Sequence, residues 1–102
     1  MQDKVKKFNN IEIFESQMSP FARILDIESE MGELAKEYLK SSKYGTKQFE
    51  VTYSFKEEFG DVLYALMSLG NELEINCEEC LDIALTKMKE RMNKTGTIGS
   101  GK

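Results

Sequence analysis

The sequence predicts an all-α fold, arranged as a four-helix bundle-like domain. Apolar residues recur at helical spacing in three long segments. No alternating run of apolar and polar residues is long enough to predict a sheet. Pro20 is the only proline in 102 residues, so little interrupts helix formation. We expect residues 1–93 to form a single domain and residues 94–102, which contain three glycines, to form a flexible tail.

The first two helices meet at Pro20. A first helix is predicted from about Lys4 to Gln17, where the apolar spacing is mixed. Ser19 fits an N-cap and Pro20 the first helical position, so a second helix begins there and runs to about Lys40. Its apolar arc, which we expect to lie in the core, consists of Ile24, Ile27, Met31, Leu34, Ala35 and Tyr38.

The second half of the chain predicts two further helices. A polar connection over residues 41–48 precedes a third helix, from about Glu50 to Glu72. Its Val62–Leu69 stretch is apolar nearly all round, which is typical of a helix buried on several sides. Asn76 can cap a fourth helix, which we expect to end near Asn93.

The charge and the hydropathy exclude two classes of partner. With 18 acidic and 14 basic residues, the net charge is −4, which argues against binding a nucleic-acid polymer. No apolar run approaches the roughly 20 residues of a membrane span, and the lysine-rich N-terminal region lacks the apolar segment of a secretory signal. We therefore expect a cytoplasmic protein.

Cys77 and Cys80 form a C-x-x-C arrangement, which invites a redox or a zinc interpretation. Zinc needs two more cysteine or histidine ligands, and these would have to come from another subunit. The acidic residues between the cysteines disfavour a thiolate. We expect two mostly buried residues near a helix start, and we assign them no role.

Two pairs of carboxylates carry the functional signal. Glu30 with Glu33, and Glu58 with Asp61, are each three residues apart within a predicted helix, so each pair lies on nearly one side of its helix. The chain has no histidine, so a metal site must use oxygen ligands, which favour magnesium, manganese or calcium. The simpler interpretation is a solvated acidic face. On the second predicted helix, Asp26, Glu30, Glu33 and Glu37 form an acidic stripe beside the apolar arc. Because no lysine is expected within this stripe, local ion pairs do not account for it.

Lys87 and Arg91 lie four residues apart on the fourth predicted helix, on one face. Near a helix C-terminus, basic residues ordinarily complement the helix dipole. The functional alternative is a clamp for phosphate oxygens, because a guanidinium can donate two parallel hydrogen bonds.

The segments 26–35 (DIESEMGELA) and 57–66 (EEFGDVLYAL) resemble the two halves of the MazG family signature, E-E-x-x-E followed by E-x-x-D. The resemblance covers about residues 20–92. It departs at one position: Ser29 stands where the family carries its first glutamate. This departure could reduce activity, or Glu28 could serve from a different angle.

The resemblance implies a Mg²⁺-dependent nucleoside or deoxynucleoside triphosphate pyrophosphohydrolase that cleaves between the α- and β-phosphates, with Mn²⁺ as a possible substitute. The implied metal ligands are Glu30, Glu33, Glu58 and Asp61. Either Glu30 or Glu33 is then expected to orient or deprotonate the attacking water, and Lys87 and Arg91 to bind the β- and γ-phosphates. The resemblance also implies a homodimer or a homotetramer.

Two alternatives remain at this point: a non-catalytic helical assembly protein with structural cation sites, and a phosphoribosyl-ATP pyrophosphohydrolase. The sequence does not fix the base or the sugar. Four aromatic residues are candidates for base stacking, although core packing is the more common use of such residues. They are Phe8, Phe14, Phe21 and Tyr53.

Overall fold

The computed structural model describes residues 1–12 and 19–96. This part of the chain forms four α-helices and contains no strand, which confirms the all-α prediction. The helices are α1 (Gln2–Glu12), α2 (Pro20–Ser41), α3 (Tyr53–Glu72) and α4 (Cys77–Thr95).

Side-chain caps set the starts of the last three helices. The Ser19 hydroxyl accepts a hydrogen bond from the Ala22 N–H at 3.2 Å, and Asn76 Oδ1 accepts one from the Glu79 N–H at 3.1 Å. Both predicted starts are therefore confirmed. The start predicted for α3 near residue 50 is wrong, because Thr52 is the cap and accepts from the Phe55 N–H at 3.1 Å.

The outer ends of α1 and α4 also differ from the predictions. α1 begins at Gln2, two residues earlier than expected, and is described to Glu12; the helix predicted over residues 13–17 lies outside the described residues. α4 continues past Asn93 to Thr95 and ends where Gly96 adopts a left-handed conformation with φ of 74°. Residues 97–102 of the predicted tail lie outside the described part of the chain.

Helix α3 is the centre of the packing. α2 lies along α3, and α1 packs against another part of α3. Ala65 and Met67 are the buried apolar residues of the described chain, whereas the buried polar residues are more numerous. They are Asn9, Arg23, Ser42 and Ser68. The interior of a single chain is therefore unusually polar.

Hydrogen bonds between buried side chains hold α1 against α3. Asn9 Nδ2 donates to the Ser68 hydroxyl at 3.0 Å, and the Tyr64 hydroxyl donates to Asn9 Oδ1. Ser68 is fully buried at this contact with α1. The hydrogen bonds satisfy polar groups that would be costly to bury alone.

A buried arginine joins α2 to the end of α3. Arg23 is fully buried, and its Nε and Nη2 atoms donate to Glu72 Oε1 at 3.2 and 2.9 Å. Its guanidinium also lies 5.9 Å from the centre of the Tyr64 ring and 3.8 Å from the Asp26 carboxylate. These contacts compensate the charge that burial would otherwise penalise.

The turn from α3 to α4 is tied to the N-terminus of α1. The Gln2 side chain donates to the Ile75 carbonyl at 2.6 Å and accepts from the Cys77 N–H at 2.9 Å. The Cys77 side chain lies very close to Gly70, since a Cβ placed on Gly70 would lie 2.5 Å from Cys77 Sγ. A larger residue at this position would therefore force the Cys77 side chain to shift.

Much of the apolar surface predicted to be core is exposed in the single chain. Ile24 and Met31 of the α2 arc are 53% and 48% exposed, and Leu66, within the stretch expected to be buried on several sides, is 44% exposed. The arcs are present, but one chain does not cover them. None of the described helices is long and apolar enough to cross a membrane.

Candidate metal centre

Three of the four predicted metal ligands converge between α2 and α3. Glu30 contributes from α2, and Glu58 and Asp61 contribute from α3. One carboxylate oxygen from each lies within 4.8 Å of the others. We call these three residues the acidic triad. The spacing predicted that all four carboxylates would meet, whereas the packing of α2 along α3 brings Glu30 alone of the first pair close to both members of the second pair.

The triad is electrostatically unfavourable as it stands. Partial burial raises the pKa of Glu30, and the charges of Asp61, Asp26, Glu58 and Glu33 raise it further. The pKa of Glu58 is raised chiefly by desolvation and then by the charge of Asp61. Within the described residues, no lysine or arginine forms an ion pair with a triad member. A cation would remove this repulsion.

Glu33 stands apart from the triad. Its side chain is 51% exposed, and Oε1 lies 3.8 Å from Lys36 Nζ. Lys40 similarly lies 3.5 Å from Glu37. The expectation that no lysine contacts the acidic stripe is therefore wrong, because both lysines reach back one turn. The charge of Glu33 still raises the pKa of both Glu30 and Glu58, so it lies near the triad without belonging to it.

The donor set of the triad suits a hard divalent cation. It offers carboxylate oxygens alone, which are the ligands that Mg²⁺ and Mn²⁺ prefer. The side chains come from two well-packed helices, and Glu30 and Glu58 are half-buried while Asp61 is exposed. Mg²⁺ usually keeps several waters and binds one or two carboxylates together with substrate phosphates. The residues present therefore fit this metal.

The predicted phosphate ligands lie on a helix that packs differently. Lys87 and Arg91 belong to α4, which takes no part in the extensive packing of α2 and α1 on α3. Within the described part of the chain, no ion pair or side-chain hydrogen bond joins either residue to α2 or α3. The single chain thus unites the triad but does not link the basic pair to it.

The aromatic candidates for base stacking are mostly at the surface. Phe21 and Tyr53 are 72% and 77% exposed, so the expectation of core packing is wrong for them within one chain. Phe8 is about half exposed and packs edge-on against Tyr64. Phe14 lies outside the described residues.

Neither the two cysteines nor Ser29, which departs from the family signature, belongs to the acidic triad. Cys77 is partly buried and Cys80 exposed, and both are free thiols, so the expectation that both are mostly buried is wrong for Cys80. Burial, followed by the proximity of Cys80, raises the pKa of Cys77, which disfavours a reactive thiolate. Ser29 is exposed beside Glu30.

Arg23 is a residue near the centre that the sequence argument missed. It forms an ion pair with Asp26, whose charge contributes to the raised pKa of Glu30. The signal was available: Arg23, Ile27, Glu30 and Leu34 follow one another at spacings of four, three and four residues. That spacing places all four on the face of α2 that packs on α3.

Comparison with known proteins identifies a relative in a bacterium. Over 80 residues, the chain is 39% identical to the uncharacterized protein YpjD of Bacillus subtilis (strain 168), an alignment that covers 76% of this chain and 70% of the relative. No protein-family model matches the chain, and no solved structure matches it significantly. The chain belongs to the same family as the Bacillus subtilis protein YpjD.

Proposed function

We propose that the chain is a Mg²⁺-dependent nucleoside triphosphate pyrophosphohydrolase, which cleaves between the α- and β-phosphates to give a nucleoside monophosphate and pyrophosphate. The observation that carries the proposal is the convergence of Glu30, Glu58 and Asp61 from the two acidic motifs. The resemblance of those motifs to the MazG signature gives the site its proposed substrate.

In this proposal, the carboxylates have two different roles, cation binding and activation of the attacking water. Glu30, Glu58 and Asp61 would hold the cation, and a bound Mg²⁺ would supply positive charge to polarise a phosphoryl oxygen and to activate water. Glu33 lies outside the triad, and its pair with Lys36 is solvent-exposed, so in this proposal Glu33 orients the attacking water and accepts its proton. The water oxygen bonds to phosphorus as the α–β anhydride bond breaks, and pyrophosphate leaves.

Lys87 and Arg91 are proposed to neutralise the leaving pyrophosphate. Phosphoryl transfer depends on such positive charges because negative charge develops on the leaving oxygens. α4 is not part of the α2–α3 packing. A nucleotide held at the triad, a movement of α4 or a partner subunit would bring the two groups together.

The chain is also proposed to self-associate as a dimer or a pair of dimers. It exposes 7884 Å² of surface, whereas a folded monomer of its 11.7 kDa exposes about 5,900 Å². The excess of about 2,000 Å² per chain is in the range that obligate homodimers bury. Sedimentation is expected to give at least twice the mass of the chain, and a monomer at micromolar concentration would contradict this part of the proposal.

Product analysis tests the catalytic proposal. The purified protein is incubated with Mg²⁺ and a panel of ribonucleoside and deoxynucleoside triphosphates together with phosphoribosyl-ATP, and pyrophosphate and monophosphate are quantified. We expect equimolar pyrophosphate and monophosphate from at least one triphosphate, and loss of both products in Glu58→Gln. Glu57→Gln is the matched control, because Glu57 is exposed on the same helix and lies outside the triad.

Other products would identify the alternatives. Orthophosphate with a nucleoside diphosphate would mean that the β–γ bond is cleaved, which contradicts the proposed cleavage between the α- and β-phosphates. Turnover of phosphoribosyl-ATP alone would show that the protein is a phosphoribosyl-ATP pyrophosphohydrolase and that free nucleoside triphosphates are not its substrates. No turnover of any compound by the wild-type protein, with cation binding retained, would favour the non-catalytic assembly protein.

A further inference from the structure

One side of α4 carries an apolar seam, formed by Leu81, Leu85, Met88 and Met92. The residues follow one another at spacings of four, three and four, which is the spacing by which two helices pack side by side. Leu81, Leu85 and Met92 are 56%, 52% and 48% exposed, and none of the residues of α4 is buried. Met88 is half-buried, so the described chain covers this seam only in part.

We propose that α4 packs antiparallel against α4 of a second copy of this chain, across a twofold axis. The proposal rests on the self-association part of the proposed function, to which it assigns a surface, and it does not depend on hydrolysis. The excess exposed surface given above is enough for such an interface. A twofold axis also uses the same patch on both subunits, so no second patch is required.

The order of residues along the seam favours the antiparallel direction. With the axis between Leu85 and Met88, Leu85 faces Met88 of the partner subunit, and Leu81 faces Met92 of the partner subunit. Each branched leucine then packs against a flexible methionine, which fills irregular gaps. A parallel pair would instead place Glu78, which continues the seam spacing by three residues, against its own copy.

The charges beside the seam agree with the same direction. Asp82 and Lys89 are seven residues apart and so lie on one flank of the seam. In the antiparallel pair, Asp82 of each helix lies beside Lys89 of the partner subunit. Opposite charges at such flanking positions set helix orientation in coiled coils.

Sedimentation of seam variants is the first test. Leu85→Glu introduces a charge at the centre of the seam and is expected to weaken association at least about 100-fold. Ile83→Glu is the matched control, because Ile83 lies on the opposite side of α4 and is 62% exposed. An unchanged particle mass for Leu85→Glu, with the helix content of the wild type, would overturn the proposal. A wild-type monomer would overturn it as well.

Crosslinking tests the direction without disturbing the charge. In a Cys77→Ser, Cys80→Ser background, Leu81→Cys protein is mixed with Met92→Cys protein and oxidised mildly. The heterologous disulfide is expected to dominate, because like residues in the antiparallel pair are separated by eleven positions, about 16 Å along the helix. A disulfide between two Leu81→Cys chains, or no disulfide, would contradict the antiparallel arrangement.

A charge swap covers the case in which Leu85→Glu fails to fold. Asp82→Lys alone and Lys89→Asp alone are each expected to weaken association by about tenfold, because each places like charges side by side. The double variant restores opposite charges and is expected to recover most of the affinity. Two single variants without effect, or a double variant as weak as both combined, would sink the proposed pairing. Cation binding, measured on the same proteins, reports separately on the triad.

Discussion

The α2–α3 pair and α4 are built from similar amphipathic helices, but they differ in how far the chain covers their apolar faces. Along α2 and α3, close packing within one chain brings Glu30, Glu58 and Asp61 together without a neutralising side chain. α4 has a comparable apolar face, but none of its residues is buried. The comparison teaches that packing within one chain fixes the carboxylate geometry, whereas the described chain leaves much of the apolar face of α4 uncovered.

The largest expected effect comes from substitutions in the acidic triad between α2 and α3. Asp61→Asn and Glu58→Gln each remove a carboxylate that we propose as a cation ligand, so we expect cation affinity and triphosphate turnover to fall at least about 100-fold. Glu33→Gln is expected to lower kcat while leaving cation affinity within about threefold, because Glu33 lies outside the triad. Calorimetry and pyrophosphate release measure the two quantities. Equal losses of cation affinity in all three variants would contradict the separate role of Glu33.

The next effect concerns the ion pair that fastens α2 to α3. Arg23→Met leaves the Glu72 carboxylate partly buried without its cation, and we expect the free energy of unfolding to fall by about 3 kcal/mol. Lys36→Met removes an exposed pair and is expected to cost less than about 1 kcal/mol. Urea denaturation measures both. Similar costs for the two variants would mean that Arg23 contributes no more than a surface residue.

A smaller effect tests the tight turn where α4 leaves α3. Gly70→Ala places a methyl group against Cys77 Sγ, and we expect a loss of about 1–3 kcal/mol. Gly32→Ala adds a methyl group in open space within α2 and is expected to stabilise by up to about 1 kcal/mol. Combining Gly70→Ala with Cys77→Ala should recover part of the loss. If the cysteine change recovers nothing, the contact with Cys77 is not the cause.

The smallest effect is a dependence of stability on pH. Because the pKa values of Glu30 and Glu58 are raised in the fold, the folded chain binds more protons than the unfolded chain just above the ordinary glutamate range. In the absence of divalent cations, Tm should therefore rise as the pH is lowered from about 7 to about 5. Glu58→Gln should flatten this profile. The same slope in wild type and variant would show that the triad does not produce it.

Local signals in the sequence were sufficient for part of this fold. Ser19 and Asn76 predicted the starts of α2 and α4, because a capping side chain acts on backbone groups two or three residues away. At α3, the helical spacing of apolar residues continues back to Val51, which precedes the cap Thr52. The predicted start was therefore too early. The pattern reports a periodicity, whereas the cap at Thr52 decides where the helix begins.

The acidic centre was predicted in outline and not in detail. Spacing alone placed Glu30 and Glu33 on nearly one side of α2, but it could not show which of the two faces α3; the structure brings Glu30 into the triad and leaves Glu33 paired with Lys36. Arg23 was overlooked because an arginine in an apolar arc is usually exposed. Its burial depends on Glu72, which is 49 residues further along the chain.

A Mn²⁺ titration tests the central claim most directly, namely that Glu30, Glu58 and Asp61 form a divalent-cation site. Binding is followed by electron paramagnetic resonance for the wild type, Glu58→Gln and the control Glu57→Gln. We predict saturable binding in the wild type that is retained in Glu57→Gln and lost in Glu58→Gln. Equal Mn²⁺ binding in all three proteins, or none in the wild type, would contradict the claim.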